Sequence, residues 1–237
     1  MQKILSKVRR AVDEYHMIEE GDRIAVGVSG GKDSLTLLVA LAELRRFYPK
    51  KFEVVGVSLD MGYPDVSFAG VEKLCQKLNV EYVVEKTDIA EIIFDVRKEK
   101  NPCSLCAKMR RGGVNSLAVE LGCNKVALGH HNDDGLETFF LSLFYEGRLN
   151  CFSPVTYLSR KDIYVIRPMI YLPEGEIKGF AKEENLPIVH NPCPMDGYSK
   201  RQDMKEYIAE HNREDKFFKT KIMHAIQTGL PAWIIND

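Results

Sequence analysis

No stretch of this 237-residue chain approaches the roughly 18 consecutive apolar residues that a membrane-spanning helix needs. The opening segment, MQKILSKVRRAVDEYHM, has charges at every turn and no apolar core, so it does not read as a secretory leader. Charge of one sign is lacking too. Lys and Arg total 33 against 34 Asp and Glu, a net charge of −1. That balance argues against a protein that meets nucleic acid over its whole surface, because such binders are basic. Internal repeats, low-complexity tracts and an obvious linker are all missing. These absences predict a cytoplasmic protein. In a reducing compartment its six cysteines (75, 103, 106, 123, 151 and 193) would not form a disulfide framework. Metal ligation, redox chemistry and packing remain open for them.

What is present points to a nucleotide-binding fold. The apolar run Ile24 to Val28 ends in a glycine-rich loop, and a helical pattern follows from Ser34 to Phe47. The alternation then repeats. Phe52–Leu59, Glu81–Glu85 and Val126–Leu128 read as strands, and Ile163–Ile166 as a fifth. Residues 3–17, 68–78, 105–121, 133–145, 174–185 and 203–227 read as helices. Continuous apolar strands separated by helices predict an α/β protein with a doubly wound, mainly parallel sheet and helices on both faces. Residues 1–170 are expected to form this domain, with 171–237 a small helical C-terminal appendage packed on it.

The loop itself is Ser29-Gly30-Gly31-Lys32-Asp33-Ser34. Glycines let backbone N–H groups approach an anion, and the following helix adds its positive N-terminal end. Lys32 adds a full charge, Ser29 and Ser34 add hydroxyls, and Asp33 is suited to hold Mg²⁺ beside phosphates. The spacing is not that of the common P-loop, since Gly27 lies only three residues before Gly31 and Asp33 follows the lysine.

Cys103-Ser-Leu-Cys106 is by spacing alone ambiguous between zinc, an iron–sulfur cluster, a redox pair and an active persulfide. Cys75 and Cys123 read as packing residues and Cys151 as a loop residue. Cys193, flanked by Pro192 and Pro194, is the candidate third thiolate. Three thiolates would leave one iron of a four-iron cluster open to sulfide. Around the pair, Arg97, Lys98, Lys100, Lys108, Arg110 and Arg111 stand against Glu99 alone, a local basic segment over 97–111 suited to RNA phosphates or to plain solvation. His130 and His131 suit an acid–base pair or a hydrogen-bonded loop brace. Asp133 or Asp134 suits a helix cap.

Taken in order, SGGKDS, Cys103-Ser-Leu-Cys106 running into Arg110-Arg111-Gly112, Leu128-Gly-His-His-Asn-Asp-Asp134, Phe144-Tyr-Glu-Gly147, Ile166-Arg-Pro168, and Cys193 with Arg201-Gln202 resemble the tRNA 2-thiocytidine synthetase family, a branch of the PP-loop ATP pyrophosphatases. The resemblance runs from about residue 10 to about residue 225. It implies that ATP is split between its α- and β-phosphates to activate a carbonyl oxygen of tRNA for replacement by sulfur. It further implies a [4Fe–4S] cluster on Cys103, Cys106 and Cys193, with Lys32 and Asp33 joining the two CxxC cysteines in catalysis. ATP, with Mg²⁺, would lie on residues 29–34, Asp60, Gly129, His130, Asp133 and Asp134. The sulfide would come from a donor such as a cysteine desulfurase, and a homodimer is left open. His190 stands where the family commonly carries a further cysteine. Two other readings share these residues: a PP-loop thiolase or amidase-type ligase acting on a small molecule or another tRNA base, and a non-catalytic iron–sulfur or zinc sensor.

Overall fold

A computed structural model of the chain describes residues 1–64, 66–97, 102–190, 192–193 and 200–235. The apolar run at 24–28 forms the heart of strand β1 (Asp22–Gly27), and its side chains alternate between two cores. Ile24 and Val26 point into the larger one and Ala25 into the smaller, as the two-residue period of a strand requires. The same holds for β2 (Phe52–Asp60), where Val54 faces one core and Val55 the other. With β3 (Glu81–Lys86), β4 (Lys125–Ala127), β5 (Val155–Leu158) and β6 (Ile163–Ile166) they build one six-stranded sheet of order β3-β2-β1-β4-β6-β5. All neighbours are parallel except β5, which runs antiparallel to β6 at the edge.

Helices cover both faces, unequally. Helix α1 (Gln2–Glu14) and helix α2 (Lys32–Leu44) contribute to the larger core, as does α3 (Ala69–Lys77). Leu35, Leu37, Leu38, Leu41 and Leu44 of α2 are fully buried there, each worth about 1.5–3 kcal/mol of transfer free energy. A short turn, α4 (Ile89–Glu91), runs into a π-helical turn over Ile92–Val96. Helix α5 (Pro102–Glu120) packs Leu117 and Ala118 onto the opposite face, over Ala25, Val55 and Val126. Helix α6 (Asn132–Leu141) continues into a π-helical turn over Ser142–Glu146. Helices α7 (Glu174–Glu183), α8 (Lys200–Glu214) and α9 (Phe218–Gly229) place Ile177, Met204, Ile208, Met223 and Ile226 in the larger core, with Trp233 beyond them.

Two expectations change. The helix expected over 203–227 is two helices, because Asp215 Oδ1 accepts the Phe217 N–H and turns the chain between them. Ile163–Ile166 is the sixth strand rather than the fifth, since Val155–Leu158 pairs with it as a four-residue edge strand too short to show a period. Chain direction across the sheet reverses between β1 and β4. In open α/β sheets, ligands bind in the crevice at that reversal, outside the carboxyl ends of the strands.

Candidate active site

The loop after β1 sits at that reversal. Gly30 adopts φ +83°, and a β-carbon there would lie 2.6 Å from the Val189 β-carbon. Both facts require glycine. Ser34 closes the turn: its hydroxyl donates to the Gly31 carbonyl at 3.0 Å, accepts the Ser29 N–H at 3.2 Å and lies 3.2 Å from the Ser29 hydroxyl. Gly31 then caps α2, whose first turn carries Lys32 and Asp33. Lys32 Nζ is 2.9 Å from Asp33 Oδ2 and 3.2 Å from Glu174 Oε1. Burial works against its charge, but these two carboxylates outweigh that and raise its pKa. It is therefore a fixed cation aimed over the loop.

The loop after β4 closes the other wall. Gly129 packs against the backbone of Asp33 and Ser34, where a β-carbon would stand 3.1 Å from both. His131, buried, is the N-cap of α6: its Nδ1 accepts the Asp134 N–H at 3.4 Å while Asp134 Oδ2 accepts the His131 N–H at 2.9 Å. Its Nε2 lies 3.6 Å from Asp33 Oδ1. That Oδ1 is buried without a hydrogen-bond partner. Mg²⁺ at phosphates takes only one or two carboxylates, so an unsatisfied Asp33 oxygen beside the loop fits such an ion.

Two residues expected to bind the nucleotide are otherwise engaged. Asp133 gives Oδ1 to Lys219 at 2.6 Å and Oδ2 to the Glu174 N–H at 2.7 Å. It braces α7 and α9, and burial of its carboxylate is more than offset by Lys219, so its pKa falls. Asp134 is the reciprocal half of the His131 cap, with Arg201 Nη1 3.6 Å from Oδ1. Burial, then Arg167, pushes His130 down to about 4. A neutral imidazole of that kind is a poor proton reservoir at neutral pH. Asp60 ends β2 and uses Oδ1 to hold the Gly62 N–H at 3.0 Å, on the same side of the sheet as the loop.

A hub invisible in the sequence joins this site to the C-terminal helices. Glu174, at the start of α7, reaches Lys32, Lys178 at 3.2 Å and Lys205 at 2.9 Å. Burial opposes its ionisation, but Lys205 and Lys32 prevail and hold it down to about 2. Arg201 of α8 binds the buried Glu137 Oε2 at 3.0 Å and Thr138 at 3.2 Å. Lys178 follows Glu174 by one helical turn, but Lys32 and Lys205 come from α2 and α8.

Cys75, Cys123 and Cys151 are buried, and the Cys151 thiol donates to the Gly135 carbonyl at 3.4 Å. Cys103 and Cys106 lie in the first turn and a half of α5, exposed and half-buried respectively. Burial raises the Cys106 thiol pKa; Arg110 opposes this, and the fields of Cys193 and Cys103 add to it. Cys106 thus lies within electrostatic reach of both Cys103 and Cys193, and Tyr63, just past β2, lies within reach of Cys193 and Cys106. Val189, four residues before Cys193, donates its N–H to the Gly30 carbonyl at 2.9 Å, which ties the third cysteine's segment to the phosphate loop. Among the described residues no three His, Cys, Asp or Glu side chains are placed to hold a single metal ion. Of the basic segment, Arg97, Lys108, Arg110 and Arg111 are exposed. Lys98, Glu99 and Lys100, like Pro194, lie outside the described residues. No helix among the described residues is long and apolar enough to cross a membrane.

The comparisons with known proteins agree with this geometry. The model of the PP-loop domain family matches residues 2–213. The tRNA-cytidine(32) 2-sulfurtransferase of Geobacter sulfurreducens is 39% identical over 238 aligned residues, covering 99% of this chain and 93% of its own length. That of Geobacter metallireducens is 40% identical, with the same two coverages. Among solved structures, the U34-tRNA thiolase NcsA from Methanococcus maripaludis with its [4Fe–4S] cluster superposes with a TM-score of 0.78 at 23% identity, covering 95% of this chain and 77% of its own, a likeness of fold. The phosphate loop, its strand order and its full-length relatives place the chain in one group: it belongs to the PP-loop family, in the tRNA-cytidine(32) 2-sulfurtransferase branch.

Proposed function

We propose that the chain is an ATP-dependent tRNA sulfurtransferase that makes a 2-thiocytidine-type product. The observation that carries this reading is the Val189–Gly30 hydrogen bond, which fastens the segment leading to Cys193 onto the phosphate loop. Nucleotide activation and sulfur handling are thereby built as one site. Relatives bearing that name align over nearly the whole chain, which supports the choice of acceptor.

The loop amides, the α2 N-terminus and Lys32 are arranged to hold the β- and γ-phosphates, and Asp33, with an oxygen left unpaired, would hold Mg²⁺, which would neutralise phosphate charge. The acceptor carbonyl oxygen attacks the α-phosphorus; a P–O bond to it forms as the bond to the β-phosphate oxygen breaks. Lys32 and the amides stabilise the negative charge that grows on departing pyrophosphate. The acceptor carbon then keeps its oxygen as a C–O–AMP ester, and that oxygen leaves with AMP when sulfur adds to the carbon and the C–O bond breaks. When bound to Cys103, Cys106 and Cys193, a [4Fe–4S] cluster would supply the sulfur chemistry, fed by a sulfide donor such as a cysteine desulfurase. Arg110 lies beside Cys106, and Tyr63 lies within reach of Cys106 and Cys193.

The test uses anaerobically prepared protein, ATP, a sulfide source and unmodified tRNA, with nucleosides analysed by mass spectrometry. AMP and pyrophosphate in proportion to one thiolated cytidine are expected. ADP as the main product, or an unmodified tRNA pool beside a thiolated small molecule, would overturn the reading.

A further inference from the structure

Two nitrogen atoms at the active edge of the sheet are buried without partners: Arg167 Nε and His130 Nδ1. They belong to one arrangement. Arg167 directly follows β6 and His130 lies just past β4, and those strands are parallel neighbours. Phe152 stands between them, its ring 5.0 Å from the His130 ring and 5.2 Å from the Arg167 guanidinium carbon. Arg167 Nη1 donates to the Ser153 carbonyl at 2.5 Å and to the Thr156 hydroxyl at 3.2 Å, both neutral acceptors.

No carboxylate among the described residues neutralises this guanidinium. Burial pushes its pKa down to about 10; the Cys151 thiol works the other way, and Arg111 adds repulsion. His130, neutral, is no counter-ion. Other arginines of this fold are treated differently: Arg23 meets Glu53 and Glu81, and Arg201 meets Glu137. A largely desolvated cation kept without an anion costs several kcal/mol, a cost that an arriving anion removes. The geometry of an arginine fork suits a phosphate oxygen pair.

Position narrows the anion. Along the sheet the order is β1, β4, β6, and strands stand about 4.8 Å apart, so the end of β6 is about 10 Å from the phosphate loop after β1. That is too far for the diphosphate cradled on the loop and suits a phosphate attached to the group being activated.

We propose that Arg167, with His130 beside it, seats a backbone phosphodiester of the acceptor RNA next to the activated nucleotide. This rests on the tRNA reading above. The α-phosphate of the nucleotide offers the same chemistry, and the experiment separates the two.

Binding of an unmodified tRNA transcript and of ATP to the cluster-loaded protein is measured across a salt series, for wild type and Arg167→Gln. The variant should bind the transcript at least tenfold more weakly, with the slope of log Kd against log salt reduced by about one, and bind ATP as before. Weaker ATP binding with unchanged tRNA binding would overturn the RNA assignment in favour of the nucleotide phosphate. No change in either would remove the site. Because Arg167 also braces Ser153 and Thr156, a second measurement uses only wild-type protein. Transcripts carrying one neutral methylphosphonate linkage on either side of the target cytidine should show the same loss of slope for one of the two. An undiminished slope for both would overturn the proposal even if the variant misfolds. A wild-type protein that binds no transcript would sink the tRNA reading itself, which is a separate result.

Discussion

The N–H of Val189 donates to the carbonyl of Gly30 across 2.9 Å, and the Val189 side chain fills the space a β-carbon on Gly30 would need. The two residues are 159 positions apart in sequence. Gly30→Ala therefore meets both a clash and an unfavourable φ, and should lower stability by about 1–3 kcal/mol. AMP formation should fall more than tenfold. Adding Val189→Ala removes the clash but not the φ, so urea midpoints should recover only in part. Full recovery of both stability and turnover would show that the φ of Gly30 is immaterial.

Asp33 and Asp133 look alike in sequence and differ in place. Asp33→Asn should leave the unfolding midpoint nearly unchanged and abolish Mg²⁺-dependent AMP formation, since it keeps the shape of the side chain and removes the negative charge beside the unsatisfied oxygen. Asp133→Asn weakens the Lys219 ion pair and should cost about 1–3 kcal/mol while ATP still binds. Equilibrium unfolding and nucleotide titration distinguish the two outcomes.

Glu174 carries a pH signature. Its carboxyl is held at about 2 in the fold against an ordinary 4.5, a depressed value. Its lysine contacts therefore stabilise the protein above pH 4.5 and fade as pH falls from there toward 2. Glu174→Gln has no such contribution to lose. The stability gap between wild type and variant should be full at neutral pH and shrink through that acidic window. A gap independent of pH would mean that the ion pairs contribute nothing.

Single Cys→Ala changes at 103, 106 and 193 should each abolish the visible absorption of anaerobically reconstituted protein. Cys75→Ala, in the packed core beside Val71, should keep it. Retained absorption in the Cys193 variant would remove that residue from the ligand set.

How much of this could be read from the chain varies with distance along it. The strands β1 and β2, the phosphate loop and α2 were legible because their signals are local: an apolar run, glycines, then a helical period. The thiol set was suggested only by the ordered motifs. The cap made by His131 and Asp134 is local and was among the sequence readings, but the bracing role of Asp133 was not, because its partners Glu174 and Lys219 come from helices more than 40 positions away. Strand β5 escaped notice because four residues at an edge carry no usable alternation. The break at Asp215 escaped because a polar helix and a polar turn look alike in composition.

At the far rim of the sheet, Lys125 Nζ sits 2.6 Å from Asp22 Oδ2 and 3.0 Å from the Met17 carbonyl, all three well sheltered, and Asn124 reaches Asp22 Oδ1 at 2.7 Å. Asp22→Ala should strand that lysine and cost about 3–5 kcal/mol in denaturant unfolding. The feet of β1 and β4 are thereby riveted together at the end that touches no ligand. The loops at the opposite end inherit their separation from the ladder rather than from one another. Sequence in those loops can drift toward a new acceptor while the gap between phosphate loop and facing wall stays as it is, because what sets the gap is anchored a full strand length away.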